Sequence, residues 1–314
     1  MDVAVAGEVI TDLVPAGADG VFRAAPGGSP ANVAVGLARL GVPTRMLARL
    51  SGDVLGRRLR AHLQGNGVDL ARTVAAAEPS SLAIVALGPD GSAEYDFRVD
   101  GAADWQWRDD ELAGALDGAC ALHLGSLAVT MPPGGAVLRR LAAGARSRAT
   151  VTYDPNARPL LMGRPDQVRA VVEETVALSD VVKASSEDLA WLYPGRELTE
   201  VLQEWCRLGP AVAVATRGAD GAVAAGGFGV LDVPGRPVAV ADTVGAGDSF
   251  MSALLAGLYG RGLLGAVGRP RLQMVDGPLV AGVLREAVTA SALTCARLGA
   301  DPPGEAELRA ALTA

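Results

Sequence analysis

Residues 241–255 read ADTVGAGDSFMSALL. Ahead of this stretch, residues 237–241 alternate, with Val238 and Val240 on one face, and predict a short strand. Behind it, Phe250, Leu254, Leu255 and Leu258 recur at helical spacing. Between the two lies Gly245-Ala246-Gly247-Asp248, small side chains ahead of one carboxylate. A tight glycine turn into a helix leaves the first N–H groups of that helix without internal partners, at the positive end of its dipole. Such a turn holds anions, and glycine lets them come close because no Cβ stands in the way. An aspartate at this point can serve simply as a helix cap. Here it also sets a candidate general base beside amide donors, the equipment for moving a phosphoryl group onto a hydroxyl. Asp248 is thus the candidate base, with Gly245, Ala246 and Gly247 as the candidate donors to the transferred group.

The rest of the chain accommodates that chemistry and argues against others. Its 314 residues, half of them apolar, suit one large α/β domain. A net charge of −7 without a basic patch argues against a nucleic-acid partner. No apolar run is long enough to span a bilayer, and the start lacks the basic region of a signal peptide. Cys120, Cys206 and Cys295 are widely spaced, which favours free thiols in a reducing compartment over disulfides or a zinc site. A cytoplasmic enzyme is the expectation. His62 and His123 are isolated, and His123, in an apolar run, reads as a satisfied core residue. The chain has no GxxxxGK[ST] loop and no protein-kinase HRD/DFG set, and GEVITD carries no dinucleotide fingerprint after the first strand.

Residues 2–6 predict a buried strand, and a helix runs from about Val33 to its stop at Gly41. From residue 103 to 241 apolar strands (119–124, 150–153, 180–182, 211–215) alternate with helices after Pro132-Pro133, near 166–178 and near 198–207. That alternation predicts a doubly wound α/β fold, a mostly parallel sheet with helices on both faces. Ligands in such sheets collect at the carboxyl ends of strands, where DPNAR (154–158), KASSED (183–188) and TRGADG (216–221) fall. Each also has a plainer use: a turn, a helix cap from Ser185 or Ser186, and a hairpin turn. Lys183 is the single lysine of an arginine-rich chain, a compact ammonium suited to phosphates or a chance survivor. Residues 81–87 and 94–99 read as strands joined by a turn at Pro89-Asp90-Gly91, and with 9–24 they predict a small sheet standing off the main one. Residues 286–300 read as helix, with Ala290, Ser291 and Ala292 small enough to admit a flat base, and 265–277 carry no readable pattern.

DTVGAGDSF, together with PGGSPAN at 26–32, resembles the two signatures of the ribokinase-like (PfkB) carbohydrate kinase family, in the family's order. The resemblance spans residues 3 to 303. It implies a single kinase domain over 1–314, with a β lid from about 9–24 and 81–103, that uses ATP and Mg2+, with K+ a further expectation. The spellings GEVITDLVP and DPNAR are most similar to the fructokinase branch. That implies D-fructose as acceptor, with ribose, a nucleoside or 2-keto-3-deoxygluconate as alternatives and a catalytically silent sugar sensor as the rival outside the class. A homodimer through the lid is left open.

By the same resemblance Asp12, Gly27, Gly28 and Asn32 contact the sugar, with Arg98 as the lid residue unless it is a solvated edge charge. Asn156, Arg158, Lys183, Ser185, Thr216, Gly218, Gly221 and Gly247 fall to ATP. The family's Asn-x-x-Glu on the magnesium side is altered here, so Asp188 and Glu187 compete for a water-mediated role. Asp242, Val244, Thr294, Arg297 and Gly299 are the implied monovalent-cation set, through backbone carbonyls near them.

Overall fold

The computed structural model describes residues 1–17, 20–87 and 93–313; the turn expected at Pro89-Asp90-Gly91 lies outside the described residues. The main sheet has eight strands. In spatial order they are Gly229–Val233, Ala222–Gly226, Val212–Thr216, Val181–Ser185, Thr150–Asp154, Ala119–Gly125, Asp2–Ala6 and Thr44–Leu47. All pairs are parallel except the two formed by Ala222–Gly226, which runs antiparallel to both neighbours. Both faces are covered. Val3 and Val5 pack with the helices Ser29–Arg39, Ala246–Gly260 and Gly277–Cys295 on one side. Ala4 and Ala6 pack on the other, where Gly134–Ala145, Pro165–Leu178 and Leu198–Leu208 lie. This period-2 division of one apolar strand between two cores is what a sheet buried on both faces requires.

A second sheet of four strands, in the order Phe22–Gly27, Ile10–Pro15, Leu82–Leu87, Ala93–Arg98, stands apart from the first. Ile10–Pro15 pairs antiparallel with Phe22–Gly27 and parallel with Leu82–Leu87. Its register sets Asp12 beside Ala83, and Ala83 beside Phe97.

Three local expectations change. Residues 237–241 form no strand: the segment is exposed and joins neither edge of the sheet, and its last residue, Ala241, donates its amide to the Cys295 carbonyl instead. Residues 265–277 contain the helix Gly265–Leu272, whose pattern is obscured by Pro270 inside it and by Gly268 pressed against Leu263. His123 is buried with Nδ1 3.0 Å from Thr152 Oγ1, but its Nε2 has no partner among the described residues. Burial first, and then the charge of Lys183, pull it down to about 3, so the ring is neutral.

The contact that positions the site is the crossing of Ser29–Arg39 with Ala246–Gly260. A Cβ built on Gly36 would lie 2.7 Å from the Cβ of Ser252, so the two helices touch backbone to side chain there. One turn nearer both N-termini, the same faces carry Asn32 and Asp248. Gly36→Ala should therefore force the helices apart and cost about 1–3 kcal/mol of stability, as overpacked core sites do. A thermal melt followed by circular dichroism checks this; an unchanged midpoint would remove Gly36 from the account.

Candidate active site

Gly245 sits in the left-handed region, with φ of 77°, and turns the chain into the helix Ala246–Gly260. A Cβ there would run into Ala300. Of the expected donors Gly245, Ala246 and Gly247, one is not free. The Ala246 N–H is taken by the Thr243 carbonyl at 3.2 Å. Among the described residues the Gly247 and Asp248 amides have no such partner, and these two residues, not Ala246, line the cavity. Behind the turn lies a buried cation: a Cβ on Gly247 would be 3.3 Å from Lys183 Nζ.

Asp248 is buried and its carboxylate is held from the other helix. Ser29 Oγ donates to Oδ1 at 2.7 Å and Asn32 Nδ2 donates to Oδ2 at 2.8 Å. Ser29 was not singled out from the sequence, although it sits at the start of its helix, in PGGSPAN, one turn ahead of Asn32. Both helices thus bring their positive ends to one point.

Lys183 pairs with Asp154 at 2.6 Å, both buried beneath this point. Burial works against the Lys183 ammonium, yet Asp154, Asp188 and Asp248 outweigh it and hold its pKa above the ordinary lysine value. Lys183 therefore acts from below the turn as a fixed positive charge and does not reach into the cavity.

The cavity encloses about 520 Å³ between the two sheets. The small sheet lines it from one face, with Ile10, Asp12 and Val14 from one strand, Ala83 and Val85 from the next, and Phe97 from the last. Asp12 is pushed up to about 6, first by burial, with Asp248 adding to the shift and Arg158 pulling against it. Gly27 lets the Asp12 carboxylate lie flat against its backbone, and Gly28, at φ of 100°, brings the chain within reach of the Glu8 carbonyl. Glu8 also lines the cavity and was not among the expected residues; GE in the opening GEVITD was its only signal. Burial pushes it up to about 7 against donors that include Ser126 and the Ala128 N–H. The two non-glycine residues with positive φ among the described residues, Ser126 and Asn156, both stand on the cavity wall, where backbone strain of this kind concentrates at functional sites.

Arg98 is not brought to the site. Alternation turns it away from the Phe97 face; its side chain is 63 % exposed and pairs with Asp96 at 2.5 Å. Asn156 and Arg158, expected beside the nucleotide, line the same cavity as Asp12. Asp188 is occupied as the capping partner of Ser185: Oδ2 accepts the Ser185 N–H at 2.9 Å, and Ser185 Oγ accepts the Asp188 N–H at 3.0 Å. Its Oδ1 accepts the Ala157 N–H at 2.8 Å, which ties the DPNAR loop down. Glu187 is exposed.

Thr216 pairs in register with Ser185 at the strand ends, and Gly218 and Gly221 shape the turn beyond. Gly221 is glycine because the chain at Val233 and Gly235 passes against it. No three metal-ligating side chains cluster among the described residues. The expected cation segments do meet: Asp242 accepts the Val244 N–H at 3.1 Å and the Gly299 N–H at 2.8 Å, and Cys295, next to Thr294, accepts the Ala241 and Asp242 amides. Arg297 is turned to Asp301 and Glu307.

A buried carboxylate, two free amides at a helix start and a cation behind them make a site for proton removal next to a bound anion. The profile of the pfkB family carbohydrate kinases matches residues 2–305. A fructokinase of Klebsiella pneumoniae is 34% identical over 262 residues, covering 82% of this chain and 85% of that protein. The crystal structure of a Xylella fastidiosa fructokinase with bound ATP superposes with a TM-score of 0.92 at 26% identity, over 99% of this chain and 98% of that one. A Vibrio cholerae O395 fructokinase in a form with fructose, ADP and calcium ion gives 0.84 at 28% identity, again over 99% and 98%.

The Asp12 environment is directly measurable. Its carboxyl carbon, followed by NMR, should titrate near 6, about two units above a model aspartate. Arg158→Ala should move it higher still, because the guanidinium favours the ionised form. An Asp12 titrating at the ordinary value, or insensitive to Arg158, would mean that the cavity is open to water.

Proposed function

We propose that this chain, which belongs to the pfkB family of carbohydrate kinases, transfers the γ-phosphoryl group of ATP to D-fructose and releases fructose 6-phosphate and ADP. One observation carries the reading: Asp248, oriented by Ser29 and Asn32, shares a single cavity with Asp12 and with the free amide of Gly247.

The acceptor sugar lies between Asp12, the Gly27-Gly28 turn and the face of the small sheet. Asp12 accepts from its hydroxyls, and the Oδ1 of Asn32 is left to accept another while Nδ2 holds Asp248. Asp248 takes the proton of the reacting hydroxyl as that oxygen forms its bond to the γ-phosphorus. The bond to the bridging oxygen breaks, and ADP leaves with its electron pair. The Gly247 and Asp248 amides, with Lys183 behind them, face the charge that spreads over the transferred group. The nucleotide extends from there toward Ser185, Thr216 and the turn at Gly218.

Mg2+ neutralises phosphate charge when it accompanies ATP. Because no trio of ligating side chains is gathered among the described residues, phosphate oxygens and water would supply most of its shell, which is usual for this ion. A monovalent cation, K+, would be held by backbone carbonyls near the point where Asp242 meets Gly299 and would brace the turn from outside. The cytoplasm, where ATP and reduced thiols coexist, is the compartment this reading assigns, in keeping with three free cysteines.

Two experiments test the reading. Asp248→Asn should leave sugar and ATP binding by calorimetry nearly intact and lower kcat by about 10² to 10⁴; near-normal turnover would remove Asp248 as the base. ADP release should be compared for D-fructose, ribose, adenosine and 2-keto-3-deoxygluconate under the same magnesium and potassium. Fructose should lead clearly, since sites that hydrogen-bond hydroxyls discriminate by up to about 10⁴. A lead by ribose or the keto-acid would replace the acceptor and keep the kinase. No ADP above background with any sugar would turn the reading toward a silent sensor.

A further inference from the structure

The chain crosses between the main body and the small sheet four times: into Ile10–Pro15, out of Phe22–Gly27, into Leu82–Leu87 and out of Ala93–Arg98. Three of these crossings meet at one side chain. Asp104, buried just beyond the last of them, accepts the Val9 N–H through Oδ1 at 2.8 Å and the Ser81 hydroxyl through Oδ2 at 2.6 Å. Val9 and Ser81 each stand immediately ahead of a strand of the small sheet, and the Ser81 carbonyl accepts the Thr11 N–H at 3.1 Å, which closes the ring. Nothing in the chemistry of the cavity uses Asp104, and it lines no part of it.

The body side of this knot is rigid. The Ala103 carbonyl is held by Arg49 Nε at 3.1 Å, and the Ala103 N–H donates to Pro79. Arg49 is itself buried and paired with Glu78 and Glu111. Trp105, fully buried, donates from its indole to the Val99 carbonyl at 3.0 Å. On the sheet side Asp104 grips two strand entries, and beside the second Asp53 accepts the Ser80 N–H and the Ser80 hydroxyl at 2.8 Å each.

We propose that Asp104 is the positioning residue that sets the small sheet over the acceptor cavity, so that Asp12 and its neighbours are presented at a fixed height above Asp248. The proposal rests on the acceptor lying in that cavity. Val9 is three residues from Asp12, and Ser81 two from Ala83, which lies beside Asp12 in the sheet. A strand entry freed from Asp104 therefore moves the wall that touches the acceptor and leaves the nucleotide side alone.

The test uses the full chain with Ser81→Ala, which removes one arm of the clamp, and Asp104→Asn, which keeps the shape and weakens both arms. Each should raise the sugar KM about five- to tenfold, the scale of one ordinary hydrogen bond lost, and leave the ATP KM within about twofold. Hydrogen exchange should quicken in Ile10–Pro15 and Leu82–Leu87 and stay unchanged in Val212–Thr216. A uniform rise in exchange, or a lowered melting temperature with the sugar KM and the small-sheet exchange unaltered, would make Asp104 a general fold residue and overturn the proposal. If Asp104→Asn fails to fold, Ser81→Ala decides alone. If no sugar is phosphorylated by the wild type, the acceptor reading falls, and unchanged small-sheet exchange in both variants still overturns the clamp.

Discussion

The structure depends on one carboxylate being shared by two helices. Asp248 belongs to the helix Ala246–Gly260, yet both of its hydrogen-bond donors come from Ser29–Arg39. The helices can lie close enough for this only because residue 36 has no side chain and residue 252 has a small one. The spacing repeats in step: 32 to 36 on one helix, 248 to 252 on the other, each one helical turn. Packing and chemistry are therefore a single constraint. Whatever moves Gly36 off Ser252 also swings Ser29 and Asn32 away from Asp248, and it parts two helix N-termini whose dipoles reinforce each other only while they point at the same place.

That arrangement answers an electrostatic difficulty. A site meant for polyanions is ringed here by carboxylates: Glu8, Asp12, Asp154, Asp188 and Asp248 all lie in or just under it. Burial has pushed Glu8 and Asp12 well up from the ordinary carboxylate range. Against them stand one buried ammonium, Lys183, and one guanidinium, Arg158. Free amides and converging helix ends add positive potential without adding a mobile side chain. Lys183 is worth most where it is, because Asp154 fixes it in place behind Gly247 and no solvent screens it. Asp188 belongs to the same economy of structure: by capping its own helix and holding Ala157, it fixes the loop that carries Asn156 and Arg158.

Much of this was legible in the residues. The buried runs of the parallel strands and the helices between them stand out because each strand feeds two cores and is therefore largely apolar. The turn at Gly245–Asp248 is legible because a left-handed glycine, a free helix start and an acid have few other uses in combination. What could not be read is whatever depends on a partner far away in sequence. Residues 237–241 alternate like a strand but join neither edge of the sheet. Ala222–Gly226, AVAAG, is a strand of mostly small residues that patterns poorly. Glu8 and Ser29 carry little signal of their own; the Ser126 loop and Asp248, distant in sequence, come up against them. Arg98 illustrates a sharper point. Its charge drew attention, while the face it occupies was already determined by Asp12: Asp12 pairs with Ala83 and Ala83 with Phe97, so position 98 must point the other way.

The same alternation explains how the cavity can be selective. From the small sheet, five of the six side chains on the cavity face are apolar and one, Asp12, is a carboxylate. From the main body the wall is mostly polar: Glu8, Asn32, Asn156, Arg158 and Asp248, with the Ser126 turn. A sugar suits such an opposition, since its C–H faces bury against apolar walls while its hydroxyls radiate around the edge. An apolar cover contributes little discrimination among sugars, for a methylene more or less changes binding only modestly. Its contribution is to exclude water, which strengthens every polar contact beneath it and disfavours transfer to water in place of the acceptor. Discrimination must then come from the polar floor and from the one carboxylate above it, because each hydroxyl that is missing or misplaced leaves a buried acceptor or donor unpaired. On the proposed function, the height of Asp12 over Asp248 is the ruler against which an acceptor is measured, and the device proposed to set that height matters as much as the groups that touch the sugar.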